Sequence, residues 1–130
     1  LTGSNPDSKL AYREYAPTGG ENMGFIQVAT TDQIPSGSMR AYTVNDRDIL
    51  LTNYDGKYYA INLKCTHRGG DLSKGKLEGK IVTCPRHGSK FDVTTGECIS
   101  GPGLGPFKPK IKDEIVYPAK VEGDNIMVDI

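Results

Sequence analysis

Cys65-Thr66-His67 and, after sixteen intervening residues, Cys84-Pro85-Arg86-His87 hold both histidines of the chain and two of its three cysteines. Each group places one thiol and one imidazole within a few residues, so two short loops would each present one donor of either kind. Two thiolates and two imidazoles suffice to hold a metal centre with tetrahedral geometry. A single structural zinc is one reading, but zinc sites usually pair Cys with Cys and His with His along the chain. Mixed arms suit a binuclear centre better, one metal taking both thiolates and the other both imidazoles.

The residues around the donors carry a resemblance. Cys65-Thr66-His67-Arg68-Gly69-Gly70 and Cys84-Pro85-Arg86-His87-Gly88-Ser89 resemble the two cluster-binding loops of Rieske-type ferredoxins, and Phe91-Asp92, Thr95-Gly96 and Gly101-Pro102 extend the likeness into the family's third, proline-bearing loop. With the flanking strands it covers about residues 24–130. The resemblance implies one [2Fe-2S] cluster per chain, with Cys65 and Cys84 on the inner iron and His67 and His87 on the outer, exposed iron. It places Arg68, Gly69, Arg86, Gly88, Ser89, Phe91 and Pro102 around that centre.

In the respiratory-type members, a serine matching Ser89 donates toward a bridging sulfide and a tyrosine matching Phe91 donates toward a ligand sulfur. Those members also carry two more cysteines, at the positions of Gly70 and Arg86, joined in a disulfide. This chain keeps only the serine. Fewer donors stabilise the reduced cluster less, so the expectation is a low-potential member, toward the negative end of the roughly −150 to +300 mV Rieske range.

Replacing two thiolates by neutral imidazoles removes two negative charges and makes reduction easier than in an all-cysteine cluster. The expected function is therefore electron transfer without bond-making. The chain reads as a ferredoxin component, not itself an enzyme, passing single electrons from a reductase to an oxygenase or other redox enzyme. The alternatives are a Rieske domain or small subunit of a larger oxidoreductase, and a zinc-stabilised binding module. A mononuclear iron site of two histidines and a carboxylate would need histidines that these residues no longer have to spare. Cys98 reads as a buried, apolar thiol outside the metal set.

The elements that must position the loops are short strands. Phe25–Ala29, Met39–Val44, Asp48–Asn53, Lys57–Asn62, Ile81–Thr83, Lys90–Val93, Ile111–Val121 and Asn125–Ile130 read as strands, separated by Gly, Pro and Asp turns. Asp55-Gly56 marks a tight hairpin that feeds the first ligand loop. The expected fold is all-β, a small antiparallel barrel or sandwich with an inserted two-loop cluster-binding subdomain over about residues 64–110. Residues 23–130 would form this single domain. Residues 1–22, rich in Gly and Pro without periodicity, read as an N-terminal arm or processed tail.

Formal net charge is zero, but residues 64–112 hold 10 Lys/Arg against 4 Asp/Glu, a local +6. Arg68, Lys74, Lys76, Arg86, Lys90, Lys108 and Lys110 could steer an acidic docking face of a redox partner toward the loops. A neutral total without a binding motif excludes nucleic acid as the expected partner. No run of about 18 apolar residues is present, and cysteines assigned to metal suit a reducing, cytoplasmic setting.

Overall fold

The computed structural model describes residues 24–66, 69–103 and 109–130. Among them, eleven strands run in the order β1 (Phe25–Thr30), β2 (Met39–Val44), β3 (Arg47–Tyr54), β4 (Lys57–Asn62), β5 (Lys76–Glu78), β6 (Ile81–Thr83), β7 (Lys90–Asp92), β8 (Cys98–Ser100), β9 (Val116–Tyr117), β10 (Ala119–Glu122) and β11 (Asn125–Asp129). They form three antiparallel sheets, ordered β1-β11-β10, β2-β3-β4-β9 and β5-β6-β7-β8. The fold is all-β, as the strand spacing predicts. No helix of the described residues is long and apolar enough to cross a membrane.

The central meander β2-β3-β4 is set by its turns. Asn45 and Asp46 both have positive φ (51° and 65°), as do Asp55 and Gly56 (57° and 85°). Two-residue hairpin turns need that backbone, and Asn, Asp and Gly tolerate it best. Between the turns, Ile49, Leu50 and Leu51 are all fully buried. Because side chains alternate along a strand, Ile49 and Leu51 enter one core and Leu50 the other. Ala60 and Ile61 on β4 divide in the same way. The sheet is thus apolar on both faces, each fully buried Leu or Ile contributing about 2 kcal/mol.

One face packs with Ile26, Ile126 and Val128 of the β1-β11 pair. The other packs with Leu72, Val82, Phe91 and Val93 of the inserted segment, together with Cys65, Cys84 and Cys98. The two cysteines of the ligand motifs are therefore rooted in a hydrophobic core that the central sheet shares.

One local expectation is corrected. The strand expected over Ile111–Val121 is present only as β9 and β10; residues 111–115 run as a strap without ladder pairing. At Pro118 the chain changes sheets, since β9 pairs with β4 while β10 pairs with β11. Proline has no N–H to give either ladder, so the switch leaves no donor unpaired there. The segment between the ligand motifs contains β5 and a single 3-10 turn at Leu72–Lys74, capped by Asp71, whose side chain accepts from Ser73 N.

Candidate metal centre

Two hairpins of one design present the candidate ligands. In the first, Cys65 N donates to Gly70 O (2.7 Å) and Gly69 N returns to Cys65 O (2.8 Å). In the second, Cys84 N donates to Ser89 O (2.7 Å) and Gly88 N returns to Cys84 O (3.1 Å). Both loops thus close over six residues through equivalent bonds, and the fifth residue of each is a glycine at positive φ, 71° for Gly69 and 81° for Gly88. An L-residue would pay a steric cost there, which explains both glycines. β4 and the Lys64–Asp71 bridge deliver the first loop; β6 and β7 hold the ends of the second.

The loops meet at Gly70, where a β-carbon would come within 2.8 Å of Cys84 Sγ and 3.2 Å of Arg86 Cγ. Cys65 and Cys84 are buried, at 3% and 4% exposure, and His87 is exposed. Both thiols of the ligand motifs are thus sealed, while the imidazole of the second loop is open to solvent. His67 and Arg68 lie outside the described residues, as do residues 104–108, including Lys108.

The remaining expected neighbours are distributed around this junction. Arg86 is exposed, with its stem against Gly70. Ser89 is fully buried, and its hydroxyl has no hydrogen-bond partner among the described residues. Phe91 is fully buried in the second core. Gly103 N donates to the His87 carbonyl (2.9 Å), so the Gly101-Pro102-Gly103 loop is fastened to the second ligand loop. Cys98 is fully buried in β8, as expected of an apolar thiol. Among the basic residues, Lys76 pairs with Glu78 (3.5 Å), Lys110 with Glu97 (3.7 Å), and Lys90 Nζ donates to Thr83 Oγ1 (3.1 Å). Lys74 and Arg86 remain exposed beside the loops.

Sequence reasoning missed Glu114. It is 5% exposed, its Oε2 accepts from Thr66 N (3.1 Å), and its buried Oε1 has no partner among the described residues. Burial pushes its carboxyl up to about 7, against the opposing pull of the Thr66 N–H bond. No spacing rule flags it: strand alternation with Tyr117 would turn Glu114 outward and Ile115 inward, whereas Ile115 is exposed. Asp92, which the resemblance includes beside Phe91, is a second buried carboxyl. Its burial works to raise its pKa, but bonds from the Thr94 hydroxyl and amide and the nearby Lys80 ammonium outweigh that and hold it low.

The family model for the Rieske [2Fe-2S] domain matches residues 24–117. The chain belongs to the Rieske [2Fe-2S] family. It is 36% identical over 104 residues to the ferredoxin component of the naphthalene 1,2-dioxygenase/salicylate 5-hydroxylase systems of Ralstonia sp., covering 80% of this chain and 93% of that one. Among solved structures it resembles the ferredoxin of carbazole 1,9a-dioxygenase from Nocardioides aromaticivorans IC177 (TM-score 0.69, 28% identity, 80% and 95% of the two chains). It likewise resembles a chain in the complex of reduced oxygenase and oxidized ferredoxin in carbazole 1,9a-dioxygenase (TM-score 0.70, 25% identity, 81% and 92%).

The Rieske chain's own residues fit a [2Fe-2S] cluster. Two thiols lie sealed in loops that abut without an intervening side chain, and the orphaned Ser89 hydroxyl is a buried donor in want of an acceptor. A sulfide is such an acceptor, and a buried donor left unpaired would cost about 1–3 kcal/mol.

Proposed function

We propose that this Rieske protein is the ferredoxin component of an oxygenase system, taking one electron at a time from a reductase and handing it to the oxygenase. Its relatives are ferredoxin components of dioxygenase systems. The observation that carries the reading is the pair of matched six-residue hairpins, each starting at a buried cysteine. Cys65 and Cys84 would hold the inner iron, and His67 and His87 the outer one, with residues 23–130 forming the single iron-sulfur domain. When bound, the cluster supplies a one-electron couple at a potential set by its ligands.

The residues' parts follow from their placement. Buried Cys65 and Cys84 keep their sulfurs out of water. Exposed His87 gives a partner a short route to the outer position. Buried Ser89 would offer a donor to a cluster sulfide, while Phe91 offers none, which supports a potential toward the lower end of the family range. Exposed Lys74 and Arg86 suit an acidic docking face. The carrier would act without chemistry of its own, in the cytoplasm alongside its redox partners.

Iron and acid-labile sulfide analysis with optical and EPR spectra tests the reading. Two irons and two sulfides per chain, with an EPR signal on dithionite reduction, are expected. A colourless protein holding zinc would overturn it.

A further inference from the structure

We propose that Glu114 is a positioning residue of the iron-sulfur site: its buried carboxyl fixes the Thr66 N–H between the two candidate ligands of the first loop, and its negative charge there holds the reduction potential down. The inference rests on the reading that Cys65 and His67 are ligands.

Glu114 is placed by its backbone and by its neighbours. Its N–H donates to Gly96 O (2.8 Å). On the same strap, Asp113 Oδ1 accepts from Cys98 N (2.8 Å), and the Lys112 carbonyl accepts from Thr66 Oγ1 (2.6 Å). The strap thus ties the β7-β8 hairpin to the first ligand loop. Thr66 is held from two sides, at its hydroxyl by Lys112 and at its amide by Glu114. That amide is one peptide from Cys65 and one from His67.

The carboxyl is an expensive group to keep there. Among the described residues its Oε1 has no partner and no ion pair reaches it. The charged groups nearest along the elements that meet it are otherwise engaged or turned outward. Asp113 is taken by Cys98 N, Glu97 is paired with Lys110, and Lys112 and Lys64 are exposed. A leucine would fill a buried site without the cost of dehydrating a carboxyl. What a leucine lacks is an acceptor for Thr66 N and a negative charge. In partly dehydrated surroundings such a charge opposes the arrival of an electron nearby far more than it would in water. The upward push on its pKa shows that the carboxyl is poorly compensated.

Glu114→Gln keeps an acceptor and removes the charge; Glu114→Leu removes both. With iron content confirmed for each holoprotein, both variants should raise the midpoint potential at pH 8. At one fixed ambient potential, the ratio of reduced to oxidised protein should rise several-fold. Only Glu114→Leu should move the EPR g-values of the reduced protein, because only it releases the Thr66 amide. Potentials unchanged in both variants would overturn the electrostatic part, and unmoved g-values in Glu114→Leu the positioning part. If the glutamine variant does not fold, the leucine variant reads both parts together, and an unchanged potential with unmoved g-values overturns the proposal. An unsubstituted protein without two irons would instead sink the ligand reading, and this inference with it.

Discussion

Gly70 of the first ligand loop lies against Cys84 of the second, so close that a β-carbon on the glycine would stand 2.8 Å from the sulfur. Its φ is not in the left-handed region, so the demand here is for space and not for backbone freedom. A methyl group at Gly70 must displace a buried thiol or the Arg86 stem beside it. Gly70→Ala should therefore lower the iron content per chain. It should also lower the stability of the protein by about 1–3 kcal/mol, the usual cost of overpacking. Iron analysis and thermal denaturation of the purified variant check this; full iron loading and an unchanged midpoint would show that the loops give way freely.

Asp92 ends β7 at the turn that leads to β8. Its Oδ1 accepts from Thr94 N (2.8 Å) and Thr94 Oγ1 (2.6 Å), and Lys80 lies 3.5 Å from Oδ2. These bonds favour the ionised form, so its folded pKa lies below the ordinary 3.8. A depressed carboxyl contributes stability above the unfolded pKa and loses it as pH falls through the folded value. The contribution should be complete at neutral pH and fade only below about pH 4. Asp92→Ala should cost about 2 kcal/mol at pH 7, chiefly through the abandoned Thr94 N–H. Denaturation at pH 7 and pH 3 should show the gap between the two proteins narrowing at the lower pH.

Much of this architecture was legible in the sequence because its signals are local. Asp55-Gly56 gave a hairpin, and the run Ile49-Leu50-Leu51 gave a strand, now seen to be buried on both faces. The metal motifs were legible because so few residue types serve as soft ligands, and both cysteines do begin matched loops. What stayed hidden depends on distant pairings. β5 has only three residues and is a strand because β6 pairs with it. The strap at 111–115 is held by Gly96, Cys98 and Thr66, which no window around it contains. Glu114 was invisible for the same reason, since the amide its carboxyl accepts from lies 48 residues away.

His87 offers the sharpest check on the ligand assignment. Its carbonyl is held by Gly103 N (2.9 Å), so its backbone stays in place when the side chain changes. His87→Cys would exchange a neutral donor for a thiolate and add negative charge at the outer position. Where iron is retained, the reduction potential should fall, in line with the gap between mixed-ligand and all-cysteine clusters. Protein-film voltammetry or a mediated titration measures it. A rise would contradict the charge argument, and a visible spectrum untouched by the change would remove His87 from the ligand set.

Glu114 should also leave its mark on stability. Its carboxyl is raised from 4.5 to about 7 in the folded chain. Between those values the folded state binds more protons than the unfolded, so stability falls as pH rises through that window. Above about pH 7 the folded protein carries the whole penalty of an ionised buried carboxyl, roughly 2 kcal/mol after allowance for partial screening. Below pH 4.5 the penalty is absent. Other groups titrate over the same range, so the comparison with Glu114→Gln carries the test and the raw pH profile does not. The variant should gain on the unsubstituted holoprotein by several degrees in thermal midpoint between pH 5 and pH 8. A difference that stays constant over that interval would mean that Glu114 meets a compensating cation once the cluster site is complete.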